Sequence, residues 1–152
     1  DDLDWASTGL GRTQTVADWA AQGITARRGE LAAGDTPASV LIPMGRKGPA
    51  FLAYPNFNVY FEWTKSFVYV LTAAYFANIL EGEPRFDAGN PEQGLSGEQI
   101  ITLQEKLEAM GYDVGGVDGI IGAKTRAAVQ AEQQRLGMPA DAWPTPALLN
   151  QL

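Results

Sequence analysis

The stretch Tyr112-Asp113-Val114-Gly115-Gly116-Val117-Asp118-Gly119-Ile120-Ile121-Gly122 decides the fold of the C-terminal half. A segment this rich in glycine does not continue a helix, because glycine loses the most backbone freedom when ordered. It reads as a structured turn. Gly119 and Gly122 are its candidates for positive φ, and the Asp118 carboxylate is placed to accept from nearby backbone N–H groups. A helix is predicted on each side. Upstream, Ser96-Gly97-Glu98-Gln99 has the form of a capping box, and Ile100, Leu103, Leu107 and Met110 keep helical spacing up to Gly111. Downstream, a second helix is expected from about Lys124 to Leu136, stopped by Gly137. Thr145-Pro146 then supplies an N-cap and a proline at the first helical position for a last helix, Ala147 to Leu152. A weak internal echo accompanies this pattern, since Ala140-Asp141-Ala142 repeats Val117-Asp118-Gly119 ahead of the next helix. Residues 95–152 therefore read as a compact unit of three helices.

Working outward, Gly82 to Gly94 is rich in Gly, Pro and polar residues and carries no periodicity. It divides the chain into units at about 1–84 and 95–152, with 85–94 as the linker. In the first unit, Thr15-Val16-Ala17-Asp18 resembles a capping box with Asp in place of Glu. It opens a short helix with Trp19 on the apolar side, ended by Gly23. Ser39 to Ile42 and Ala50 to Tyr54 read as strands joined by a Gly/Pro-rich loop, Pro43 to Pro49, with Arg46 and Lys47 at its tip. Ser66 caps a helix running to about Leu80. Its apolar residues wrap around most of the cylinder, which predicts a largely buried helix. So much apolar surface on so few elements suggests part of a larger domain.

Composition removes whole classes of chemistry. The chain has 152 residues, no Cys and no His. Thiol catalysis, thiolate metal sites, Ser-His-Asp mechanisms and the common zinc-hydrolase ligand sets are thereby excluded. No cofactor and no metal site is expected. What remains is chemistry by carboxylate, Lys or Tyr, or binding alone. A formal charge of -7, with basic residues clustered only at Arg27-Arg28 and Arg46-Lys47, argues against a nucleic-acid partner. The apolar run Phe67 to Leu80 falls short of the ~18 residues needed to span a bilayer. The acidic start Asp1-Asp2-Leu3-Asp4 does not resemble a signal peptide, so any export signal is expected outside this chain.

Two resemblances follow from these residues. Leu103-Gln104, Leu107, Gly111-Tyr112, Gly115, Val117 to Gly122, Thr125-Arg126, Ala128-Val129, Gln133 and Gly137 resemble the three-helix peptidoglycan-binding domain appended to many bacterial wall enzymes. Taken singly, each of these residues is also what a tight turn between helices requires. Two positions depart from the pattern. Glu132 stands where the family usually carries an aromatic, and Ala142 stands where it carries Gly, which predicts a last turn drawn differently.

In the first unit, Arg12-Thr13, Thr15 to Ala20, Gly48 to Leu52, Pro55-Asn56-Phe57, Trp63 to Ser66 and Tyr69 resemble the C-terminal part of lytic murein transglycosylases of the membrane-bound-B type. The resemblance implies a mainly α fold: a partial lysozyme-like catalytic-domain segment with a small β-hairpin, followed by the three-helix binding domain. It implies cleavage of the MurNAc–GlcNAc bond to 1,6-anhydro products by one Glu, acting as acid and then base, in a Glu-Ser motif. No Glu-Ser pair occurs in this chain, so the catalytic residue is expected upstream and none is assigned here. The resemblance further implies that Trp63, Thr64 and Tyr69 contact the sugar, with Thr64 replacing the usual Asn. Core packing for Trp63 and a helix-start role for Thr64 are the alternatives. Glu62, the one acid near this aromatic segment, reads as solvated. The expected partners are peptidoglycan glycan strands and the N-terminal half of the same enzyme, in the periplasm or cell envelope. The alternative is a non-catalytic wall-binding or partner-recruiting module.

Overall fold

The computed structural model describes residues 3–64 and 66–152; the acidic Asp1-Asp2 start and Lys65 of the Trp63–Ser66 motif lie outside them. A 3₁₀ turn at Trp5–Ser7, capped by Asp4, leads into strand β1 (Gln14–Thr15) and helix α1 (Val16–Ala21). The expected capping box is present: the Thr15 hydroxyl accepts from Asp18 N–H and the Asp18 carboxylate accepts from Thr15 N–H. Gly23 follows at φ 90°. Strands β2 (Pro37–Leu41) and β3 (Phe51–Ala53) pair antiparallel, with Val40 opposite Leu52. They lie slightly inside or outside the predicted bounds, and the two-residue β1 adds an unforeseen third strand in the order β1-β2-β3.

Trp19 anchors the core of this half. It is fully buried among Val16, Ala38, Val40 and Ile42, and its indole N–H donates to Ala38 O at 2.8 Å. Losing a buried indole costs about 4 kcal/mol, so α1 is fixed to β2 largely through this one side chain. β2 is covered on both faces, which is why Ala38 to Leu41 are all buried rather than alternating.

A second 3₁₀ turn (Pro55–Val59) runs into the short helix α2 (Tyr60–Trp63), and helix α3 (Phe67–Leu80) follows with Ser66 as its N-cap. The expected burial of α3 is not found. Phe67 and Val70 are buried, but Val68, Tyr69, Phe76 and Leu80 are exposed. Val68, Thr72, Phe76 and Leu80 follow one another at four-residue intervals and so form one row along the helix. An all-round apolar helix needs partners on every side, and α3 has them on one.

The C-terminal half contains α4 (Gly97–Ala109), α5 (Ala123–Arg135) and α6 (Pro146–Leu149). The Ser96–Gln99 capping box forms as read, and Thr145 caps α6, which ends three residues sooner than predicted. Leu103, Leu107, Val114, Val129 and Leu148 make the core, whereas Met110 is exposed. Gly119 has φ 75°, as its turn requires, but Gly122 has φ -81° and serves as the N-cap of α5. The last turn is not drawn differently: Ala142 holds φ 58°, the left-handed conformation that glycine favours. Glu132, in place of an aromatic, is buried and bound to the Tyr112 hydroxyl at 2.9 Å and to the Arg135 guanidinium.

Residues 83–96 carry no helix or strand, yet they are tied down. Phe86 packs on Phe51 and Tyr75, Asn90 N–H donates to Lys47 O, and Glu92 pairs with Arg46 and Lys47. Among the described residues, no helix is long and apolar enough to cross a membrane.

Candidate functional site

α2 ends at Trp63 and α3 starts at Phe67, so Trp63 and Tyr69 sit on either side of the break between the two helices. Their rings meet edge-on, with centroids 5.5 Å apart and planes at 69°. Both are open to solvent, Trp63 at 71% and Tyr69 at 53%. Thr64, extended at φ -149°, makes the break, and its hydroxyl accepts from Ser66 N–H at 3.3 Å. Ser66 in turn accepts from Tyr69 N–H. The structure thus brings all three sequence-predicted residues together on one exposed edge. Thr64 supports the helix start, and a hydroxyl that accepts one bond still has a hydrogen to donate. Trp63 is not a core residue. Exposed aromatic faces suit sugar C–H surfaces, and a hydroxyl suits acetamide and ring hydroxyl groups.

Among the described residues, no carboxylate near this edge is built for proton transfer to a glycosidic oxygen. That task needs a carboxyl held protonated in a desolvated cleft, and Glu62 is exposed. Among the described residues two carboxylates are buried, and both are committed elsewhere. Arg135 holds the Glu132 carboxyl below its ordinary range through a direct hydrogen bond that outweighs burial. Asp141 accepts from Arg46 N–H, Gln133 Nε2 and Trp143 N–H.

Sequence reasoning passed over the seam between the two halves. Gln130 on α5 donates through Nε2 to Trp5 O at 3.1 Å, Thr8 O at 3.2 Å and Ala140 O at 3.0 Å. Arg126, four residues earlier, donates to Pro43 O and lies over the Phe67 ring at 4.9 Å and the Trp143 ring at 5.9 Å. Burial pulls its guanidinium down to about 10, against the opposing pull of Asp141. It stays charged at neutral pH. Its Nε has no hydrogen-bond partner. The one local signal was a long cation in a helix of small residues, Ala123 to Val129. Beside the seam lies an apolar groove of about 680 Å³, walled by Phe67, Val68 and Leu71 of α3 and by Ile120, Ile121 and Trp143.

The chain belongs to the transglycosylase SLT domain family, which it matches over residues 1–78. Residues 96–152 match the peptidoglycan binding domain. Among solved structures it is similar to SltB3 from Pseudomonas aeruginosa in complex with NAG-anhNAM-pentapeptide, at 39% identity and a TM-score of 0.77. The match covers 98% of this chain and 41% of that one. The same protein in complex with NAG-NAM-pentapeptide matches at 38% identity, with the same TM-score and the same coverage. A spore cortex-lytic enzyme of Bacillus cereus is 40% identical over 50 residues, which is 33% of this chain and 19% of that enzyme. The mostly helical architecture with a small antiparallel sheet is therefore that of a lytic transglycosylase segment, and the function is peptidoglycan-related.

Proposed function

We propose that this chain binds peptidoglycan glycan strands as the C-terminal portion of a lytic transglycosylase that cleaves MurNAc–GlcNAc bonds to 1,6-anhydro products. The observation that carries the reading is the exposed Trp63–Tyr69 pair with the Thr64 hydroxyl between them, on a segment of the transglycosylase family. These three residues contact sugar. The acid-base Glu is supplied by residues outside this chain, since Glu62 is solvated and the buried carboxylates are occupied by structural bonds. Residues 1–84 act as the catalytic-domain segment, 85–94 as the connection and 95–152 as the wall-binding unit. The exposed Val68–Leu80 row of α3 supports a further packing partner from the same enzyme. A function on peptidoglycan supports a location in the periplasm or cell envelope.

Co-sedimentation with purified sacculi tests the binding, and release of soluble anhydro-muropeptides tests the chemistry. The chain is expected to pellet with sacculi and release nothing. Trp63→Ala, at an exposed position, is expected to weaken pelleting about tenfold without altering the melting temperature. Retained binding by this variant would remove Trp63 from the sugar surface. Lytic activity from the pure chain, lost on Glu62→Gln, would overturn the assignment of the acid to residues outside it.

A further inference from the structure

Phe67 opens α3 and is only 4% exposed, yet it belongs to neither of the two hydrophobic cores. Part of its cover comes from the other half of the chain. The Arg126 guanidinium of α5 lies over its ring, 4.9 Å from the centroid. That guanidinium is itself held by a hydrogen bond to Pro43 O and by the Trp143 ring. Phe67 and Arg126 both line a cavity of about 190 Å³ in the seam and the apolar groove of about 680 Å³ beside it. A ring that borders open space has lost packing partners there, so the cation–π contact carries more of its placement. Phe67 also stands where the candidate sugar edge is made. Ser66, just before it, accepts from Tyr69 N–H, and its own N–H donates to the Thr64 hydroxyl. Tyr69 lies two residues beyond and meets Trp63 edge-on. Both of those rings are exposed, so their directions follow the helix ends that carry them, and Phe67 and Val70 are the buried side chains of α3.

We infer that Arg126 is a positioning residue for the Trp63–Thr64–Tyr69 edge. From the C-terminal unit it fixes Phe67, and through Phe67 the helix start that sets Tyr69 against Trp63. The functional consequence rests on the sugar-surface reading above; the positioning rests on the contacts alone. Residues 95–152 then do more than hold the wall: they keep the sugar contacts of the other half in shape. A packed pair that bridges two units can change binding at one of them several-fold without touching the ligand.

Fluorine NMR of the whole chain labelled with 5-fluorotryptophan, titrated with peptide-free NAG-NAM disaccharide, tests this. In one spectrum the buried Trp19 reports folding and the exposed Trp63 reports the edge. Arg126→Met and Phe67→Leu are each expected to move or broaden the Trp63 signal while the Trp19 signal stays in place. Each should weaken disaccharide binding about fivefold. Gln130→Ala is the control, because it removes hydrogen bonds across the same seam to Trp5 O, Thr8 O and Ala140 O, none of them on α2 or α3. It should lower the melting temperature and leave the Trp63 signal and the affinity as in the parent. Where one variant loses the Trp19 signal, the other decides; loss in both would assign the pair to general stability and overturn the inference. An unmoved Trp63 signal, or one moved equally by Gln130→Ala, would also overturn it, as would a moved signal with unchanged affinity. A moved Trp63 signal in a chain whose parent form does not bind the disaccharide would sustain the positioning and overturn the sugar surface instead.

Discussion

Gln104 on α4 and Gln133 on α5 hold the loops that follow them in the same way. Gln104 Oε1 accepts from Asp118 N–H and Gly119 N–H, while its Nε2 donates to Asp118 Oδ1 and Ile120 O. Gln133 Oε1 accepts from Ala142 N–H, while its Nε2 donates to Asp141 Oδ1 and Trp143 O. In each loop the aspartate also accepts from the residue two ahead, Ile120 N–H or Trp143 N–H. The echo between Val117-Asp118-Gly119 and Ala140-Asp141-Ala142 is thus a repeated buried clamp. Each glutamine uses both ends of its amide, which makes it a specific tie between a helix and the turn beyond it.

Removing a clamp leaves backbone donors and an aspartate without their partner. Gln104→Ala and Gln133→Ala are each expected to lower stability by about 2 kcal/mol. Urea unfolding followed by far-UV circular dichroism measures this. A change near zero for either would mean that water replaces the amide at no cost.

At the position after the aspartate, the matching turns set Gly119 at φ 75° against Ala142 at φ 58°. The left-handed conformation costs a non-glycine residue about 1 kcal/mol. Ala142→Gly should therefore raise the unfolding free energy by about that amount, and Gly119→Ala should lower it. A Cβ at Gly119 would also lie 3.3 Å from Gly97 O. Paired thermal melts of the two variants check the opposite signs.

Glu132 sets an acid limit for the C-terminal half. Its carboxyl is held below the ordinary value by Arg135 first and by the Tyr112 hydroxyl. A carboxyl depressed in the folded state contributes stability above its unfolded pKa of about 4.3. That contribution is lost as pH falls through the lower folded value. Glu132→Gln is expected to flatten the acid limb of the stability–pH curve, with the larger difference from the parent at neutral pH. Denaturant midpoints measured from acid to neutral pH read this out, and parallel curves would refute it.

Arg126 and Gln130 join the halves of the molecule. Arg126→Lys keeps a cation but loses the planar face over Phe67 and Trp143, and is expected to cost about 2 kcal/mol. The change should also loosen the 83–96 segment, whose Glu92 O accepts from Trp143 Nε1. Limited proteolysis provides the measurement: cleavage within 83–96 should accelerate in the variant while cleavage near Trp19 does not.

The features legible from sequence were those set within a few residues. Thr15, Ser66, Ser96 and Thr145 each cap the helix expected, because a short side chain meets a backbone N–H three positions ahead. The Asp118 turn was readable for the same reason. One misreading came where the partners were distant, another where the geometry of a turn decided. α3 was expected to be buried because its composition is apolar all round, but composition does not say how many neighbours a helix finds. Gly122 caps α5 at negative φ, a choice made by the geometry of the preceding turn.

The sequence by itself determined the chemistry this chain lacks, the helices and their caps, and the glycine-rich turns, since all of these depend on side-chain identity and local spacing. Tertiary structure alone decided that Gln130 reaches Trp5 and Thr8, that Arg126 lies between Phe67 and Trp143, and that an apolar groove opens beside them. Those contacts join residues tens to more than a hundred positions apart. No periodicity encodes them, because they exist only once both cores have formed and their surfaces meet.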